Sequence, residues 1–195
     1  MPLPISLIVG LGNPGAEYAD TRHNAGFWFV DSLAKRFSAG FKQESKFHGE
    51  ICRLREDGRE CWLLKPATYM NRSGRSVASL ANYYKIPLEA MLVVHDELDL
   101  EAGTVRLKLG GGHAGHNGLR DIISAMGGGG FWRLRLGISR PAGGGGQPVV
   151  NYVLGRPTRD EAVAIEGAIA DAERITSDLL SGDFQQAMHR LHSAR

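Results

Sequence analysis

The residues best suited to move a proton in this chain are His23, in Thr21-Arg22-His23-Asn24, and Asp96, which stands just beyond the apolar run Met91-Leu92-Val93-Val94. An imidazole near the amino end of a helix is kept neutral by the helix dipole, and a carboxylate partner fixes its tautomer and raises its basicity. Together the two make a general base. The sequence holds no Gly-x-Ser-x-Gly elbow and no suitably placed cysteine, which favours direct attack by an activated water over a covalent intermediate. Structural roles are expected for His48, His95, His189 and His192, since His95 ends a strand and the last two sit on a C-terminal helix.

Amide side chains recur at similar places. Asn13 follows a first strand, and Asn24, Asn71 and the pair His116-Asn117 stand at the starts of helices. Helix capping would account for Asn24, Asn71 and Asn117 with no chemistry at all, but it leaves His23 and Asp96 unexplained. The segment from Gly110 to Gly118 allows two readings. The spacing of His113 and His116, with Asp96 and Asp99 elsewhere, could supply metal ligands, although no third ligand is placed by spacing. Alternatively, the glycines let backbone N–H groups approach an anion or a ribose at the mouth of the following helix.

Gly10-Leu11-Gly12-Asn13-Pro14-Gly15 is a literal GxGxxG after a strand, the pattern of dinucleotide-binding loops. Its context argues against that use. Pro14 removes a backbone donor from the loop, the next helix opens only around Asn24, and Asp31 falls inside a helix instead of at the tip of a second strand.

The elements that must position these residues follow from periodicity. Residues 5 to 10 and 91 to 94 are short apolar runs suited to buried strands. Phe29, Val30, Leu33, Ala34 and Phe37 stripe one helix, and Val77, Leu80, Ala81 and Tyr84 a second. Segments 51–55 and 60–64 flank the hairpin signal Asp57-Gly58, which sets Cys52 and Cys61 diagonally on one face and disfavours a disulfide. Strands are expected at 104–109 and 132–138, separated by a helix bearing Leu119, Ile122, Ile123 and Met126. Thr158 with Glu161 forms a capping box opening a helix through about Leu180, Gly182 closes it, and Phe184, Ala187, Met188 and Leu191 stripe a last helix. The glycine runs 127–130 and 143–146 read as mobile connections, the second as a plain surface loop or part of a lid. The expected architecture is α/β, a single-domain three-layer sandwich over residues 1–195 with a twisted mixed sheet flanked by helices.

Composition bounds the partners. With 43% hydrophobic and 23% charged residues the chain is that of an ordinary globular protein, and no segment approaches the roughly eighteen apolar residues a membrane span needs. The start, MPLPISLIVG, lacks a basic region and reads as a core strand, so a cytoplasmic protein is expected. Net charge is only +2, yet between Gly103 and Arg140 six basic residues face one acid, Asp121, and between Thr158 and Asp183 seven acids face two arginines. Such a basic face suits a phosphate-bearing partner. It is equally consistent with a solvated surface of uneven sign.

Five ordered strings carry a family likeness along nearly the whole chain: Val9 to Gly15 with Glu17-Tyr18, Thr21 to Gly26, Pro66 to Gly74, His95 to Leu100, and Lys108 through Leu119. With these the chain closely resembles the bacterial peptidyl-tRNA hydrolases. The resemblance implies hydrolysis of the ester joining a peptide to the terminal tRNA ribose, with peptidyl-tRNA (acceptor stem and 3′ end) as partner and no metal, cofactor or membrane. It implies a monomer. It assigns His23 as the base that deprotonates water and Asp96 as the group that holds it, and it gives Asn13 the task of telling blocked from free aminoacyl ends. Asn71 and Asn117 are implied at the ester and water, His116 among the residues that bind substrate or tRNA, Tyr18 and Tyr69 at the tRNA end, and Lys108 with Arg135 on the 5′ phosphate. Some plastid splicing factors share the fold without the reaction, so a non-catalytic RNA-binding relative is the rival reading. The departures from the family lie in the all-glycine loops 127–130 and 143–146.

Overall fold

The computed structural model describes residues 2–142 and 148–193, so the glycine run 143–146, with the lid suggested for it, lies outside the described residues. Among the described residues seven strands, β1 (Leu7–Gly10), β2 (Lys42–Glu44), β3 (Gly49–Glu56), β4 (Arg59–Pro66), β5 (Met91–Glu97), β6 (Val105–Leu109) and β7 (Trp132–Gly137), form one sheet in the order β2-β3-β4-β1-β5-β7-β6. Strand β1 runs parallel between β4 and β5, and β7 is parallel to β5. The β2–β3, β3–β4 and β6–β7 pairs are antiparallel. A strand inside a parallel sheet is covered on both faces, which is why β1 and most of β5 are unbroken apolar runs, buried throughout.

Alternation along those strands sorts the core into two layers. Ile8, Leu92 and Val94 face a layer shared with α1 (Ala25–Arg36), α4 (Val149–Val153), α5 (Arg159–Glu173), α6 (Thr176–Ser181) and α7 (Phe184–His192). Leu7, Val9, Met91 and Val93 face the other layer, shared with α2 (Ser73–Tyr83) and α3 (Asn117–Met126). The fold is therefore an α/β sandwich around a mixed sheet, as expected. In the β3–β4 hairpin Leu54 pairs with Cys61 and Cys52 with Leu63, so the two sulfurs are diagonal. Both are buried free thiols.

Three expectations need correction. Asp96 does not follow β5 but lies within it, because β7 continues the ladder through the Asp96–Leu136 and Glu97–Gly137 pairs. The helix from Thr158 is two helices: the capping box of Thr158 and Glu161 opens α5, but the buried Thr176 hydroxyl bonds the Glu173 carbonyl at 2.7 Å. Side chains of that kind compete with the helical ladder. Beyond the break, the Leu179 carbonyl of α6 accepts from Ile5 N–H at 3.0 Å. The loop 127–130 is no slack connection either: Gly127 and Gly128 N–H both close α3 on the Ile123 carbonyl, and Arg133 holds the Gly129 carbonyl at 3.0 Å.

What brings α1, and with it His23, against the sheet is an absence of side chain at Gly26. A Cβ there would sit 2.4 Å from both Leu11 N and Val94 O, main-chain atoms of the β1 exit and β5. Neither can move without breaking the sheet. Gly26→Ala is therefore expected to cost about 3 kcal/mol, the upper range for overpacking. Urea denaturation measures this, and a loss below about 0.5 kcal/mol would show that the helix slides freely.

Candidate active site

The sheet's parallel strands end beneath a cleft of about 720 Å³ lined by Asn13, His23, Asp96 and His116 among others. His23 lies on a 3-10 turn, Arg22–Asn24, immediately ahead of α1. Its Nδ1 is 2.9 and 3.0 Å from the two Asp96 carboxylate oxygens. From the other side His116 places Nε2 2.8 Å from Asp96 Oδ1. Asp96 is almost wholly enclosed, with 2% of its side chain exposed, and two imidazoles are its hydrogen-bonding partners.

The hydrogen-bond pattern assigns the tautomers. His116 Nδ1 accepts from the N–H groups of Gly118 at 3.1 Å and Leu119 at 3.4 Å, so it carries no proton. His116 must therefore donate through Nε2 to Asp96. His23 Nδ1 faces only carboxylate oxygens and is the second donor, which leaves the lone pair of His23 on Nε2. That nitrogen has no partner among the described residues, and the ring lines the cleft. Burial alone would lower the His23 pKa, but the Asp96 charge and its hydrogen bond outweigh it and raise the value above the ordinary. Burial likewise opposes ionisation of Asp96, yet the charges and hydrogen bonds of His23 and His116 hold its carboxyl well below the usual range.

The asparagines behave differently from simple caps. His116, not Asn117, caps α3 with its side chain. Asn24 makes no cap bond; its amide bridges to Asn13, accepting from Asn13 N–H at 2.8 Å and donating to Asn13 O at 3.0 Å. Asn13 in turn accepts from Met70 N–H at 2.7 Å through Oδ1. With Oδ1 turned to Met70 N–H, the group Asn13 has left to present to the cleft without a partner among the described residues is its NH2 donor. Asn71 and Asn117 are exposed and line the same cleft, as do Tyr18 and Tyr69, whose rings meet edge-on at 6.3 Å.

The basic rim is more structured than charge counting suggests. Lys108 on β6 stands opposite Arg133 on β7, so Lys108 and Arg135 are diagonal neighbours on one face. Arg135 Nε donates to Glu97 at 2.9 Å, leaving its outer nitrogens for an anion. Arg133 is 3% exposed and spends its guanidinium on the carbonyls of Gly111, Gly112 and Gly129, shaping the glycine segment that carries His116. His95 is a structural residue, donating from Nδ1 to Asp96 O, and burial pushes its pKa down to about 3.

Ligand atoms of His23, Asp96 and His116 lie within 4.8 Å of one another, a donor set zinc accepts. In the tautomers above both facing nitrogens carry protons, so an ion would have to displace both and strip the cap from α3. His113 is outside this group; its Nδ1 accepts from Gly115 N–H. Two features had no signal in the sequence reading: the apolar wall of Val149, Val150 and Leu154 on and beside α4, and the buried contacts of Arg22 with Tyr152 and Glu161.

What such a cleft can do is add water to an activated carbonyl, which makes the molecule a hydrolase with a basic approach for an anionic substrate. The model for the family "Peptidyl-tRNA hydrolase" matches residues 7–195. The chain is 55% identical to a peptidyl-tRNA hydrolase of Methylobacillus flagellatus over 189 residues, 97% of each chain. It is 54% identical to one of Halorhodospira halophila over 187 residues, covering 96% of this chain and 95% of the other. A solved peptidyl-tRNA hydrolase of Acinetobacter baumannii superposes with a TM-score of 0.92 at 50% identity, over 96% of this chain and 94% of that one. The chain belongs to the peptidyl-tRNA hydrolase family, and its reaction is hydrolysis of peptidyl-tRNA to peptide and free tRNA. Among the described residues, no helix is long and apolar enough to cross a membrane.

Proposed function

We propose that His23 is the general base of this reaction, acting on water through Nε2 while Asp96 holds Nδ1–H. The observation that carries the reading is the His23 Nδ1 contact with both Asp96 oxygens at 2.9 and 3.0 Å, which turns the free lone pair toward the cleft. Water gives its proton to Nε2 as its oxygen bonds to the ester carbonyl carbon. The tetrahedral oxyanion is met by amide N–H groups of Asn71 and Asn117. Collapse breaks the bond to the ribose oxygen, which leaves with the proton that Nε2 had taken. Imidazolium beside a buried carboxylate is the charge pair that the raised His23 pKa favours.

Asn13 then selects the substrate. Its fixed oxygen leaves only an NH2 donor, which pairs with the carbonyl of a peptide or acyl amide and faces a charged α-amine donor to donor. Tyr18 and Tyr69 offer ring surfaces for the terminal bases of tRNA. Lys108 and the outer nitrogens of Arg135 take the terminal phosphate by charge-assisted bonds. The test is release of tRNA from N-acetyl-aminoacyl-tRNA with EDTA present, beside free aminoacyl-tRNA. Turnover of the blocked ester alone is expected. Activity that returns only with added metal would overturn the water–imidazole reading.

Replacing Lys108 or Arg135 by alanine is expected to raise KM about tenfold and to flatten the dependence of log KM on log salt by about one charge, with saturated kcat unchanged. Steady-state kinetics across a salt series measures this. A change confined to kcat would move these residues from the tRNA to the chemistry.

A further inference from the structure

We propose that Arg22 is a positioning residue, one that registers the turn bearing His23 against the wall formed by α4 and the start of α5. This rests on His23 being the base. Arg22 is 8% exposed and immediately precedes His23. Its Nη1 donates to Tyr152 O at 3.0 Å, its Nη2 donates to Glu161 Oε1 at 3.0 Å, and the guanidinium lies 4.0 Å from the centre of the Tyr152 ring. Its own N–H donates to Gly155 O at 3.0 Å. Tyr152 meanwhile donates its hydroxyl to Ile138 O at 2.6 Å, just after β7. One side chain thus joins the catalytic turn to α4, to α5 and, through Tyr152, to the exit of β7.

Stability is a poor explanation for this arrangement. Enclosing a charged pair costs desolvation that its attraction does not reliably recover, and well-packed apolar replacements are often neutral. Arg22 Nε is moreover buried without a partner, so the guanidinium is not fully satisfied. What the contacts supply is direction. Two fixed acceptors and the Tyr152 ring hold the planar fork of Arg22, a third acceptor takes its main-chain N–H, and a rotation of the 3-10 turn that broke these contacts would swing the adjacent imidazole off Asp96. The same fork fixes α4, a helix of only five residues whose Val149 and Val150 are exposed on the cleft. Glu161 is shared between the α5 capping box and Arg22, so the wall and the base take their places from one carboxylate.

The test is Arg22→Met, which keeps an unbranched chain and removes every donor of the fork. Measured on folded protein by single-turnover and steady-state hydrolysis of N-acetyl-aminoacyl-tRNA, kcat should fall about 10- to 100-fold, the range expected when a reacting group is misplaced by about 1 Å. Binding of deacylated tRNA should stay within about twofold. Arg22→Lys, whose single ammonium reaches Tyr152 O or Glu161 but not both, should fall between the two. A kcat for Arg22→Met within about twofold of the parent, or a loss shared equally by tRNA binding, would overturn the proposal. Should Arg22→Met fail to fold, Glu161→Gln keeps a cap acceptor and removes the counter-charge; a several-fold lower kcat is expected, and an unchanged kcat overturns the proposal. His23→Ala assayed in parallel separates the two claims: a normal rate there removes the base, whereas a lost rate there beside a normal Arg22→Met removes only the positioning.

Discussion

Asp96→Asn is expected to fold normally and to lower kcat by about 10³- to 10⁴-fold, the scale seen when a catalytic histidine is held in the wrong tautomer. The reason lies in the count of donors facing this carboxylate. His116 Nε2–H points at Oδ1 at 2.8 Å and His23 Nδ1–H lies nearest Oδ2 at 2.9 Å, so a carboxylate meets both donors with an acceptor. An asparagine has one oxygen and one NH2. His116 cannot change its tautomer without losing the cap on α3, because its Nδ1 already accepts from Gly118 and Leu119. The amide oxygen therefore goes to His116 and the NH2 to His23. His23 Nδ1 then becomes an acceptor, its proton moves to Nε2, and the lone pair that should take a proton from water is gone.

The pH dependence carries a second signature. In the proposed role the base works unprotonated, so activity of the parent is expected to fall as pH drops through a His23 pKa that Asp96 holds above its ordinary value. With the carboxylate charge removed, burial is left as the main influence and lowers that pKa. The residual activity of Asp96→Asn should therefore persist to lower pH than the parent's. A loss of only a few fold in kcat, with the acid limb unmoved, would show that Asp96 does not set the state of His23.

Much of this was legible because the sheet's chemistry is repetitive. The runs at residues 5–10 and 91–94 have the two-sided apolar pattern of buried parallel strands, and His23 and Asp96 stood out as a candidate base and its candidate carboxylate by residue type and by their place near element ends. Their pairing was expected from topology and family likeness and had no trace in spacing, because residues separated by 73 positions are brought together by Gly26 and the β1–β5 pairing. His116 was read as a substrate or metal ligand; its place on Asp96 and its capping of α3 follow from how the glycine segment folds around Arg133. Helix α4 has only five residues, too few for periodicity to register. The capping box at Thr158 and Glu161 was plain, whereas the second bond of Glu161, to Arg22 across 139 residues, has no local trace.

Removal of the imidazole itself is the second large effect. His23→Ala leaves Asp96 with His116 alone and leaves Asn13, Lys108 and Arg135 in place, so the tRNA should still bind. On the proposed mechanism the variant loses the acceptor for the water proton, worth about 10²- to 10⁴-fold in general-base catalysis. The loss should appear in kcat and not in KM, because the imidazole helps only once the proton begins to move. Single-turnover hydrolysis of N-acetyl-aminoacyl-tRNA by saturating His23→Ala, with tRNA affinity measured on the same preparation, is the most direct trial of His23 as the base. A rate lower by at least about 100-fold with affinity within about twofold is expected; a near-parental rate with tRNA bound would contradict it.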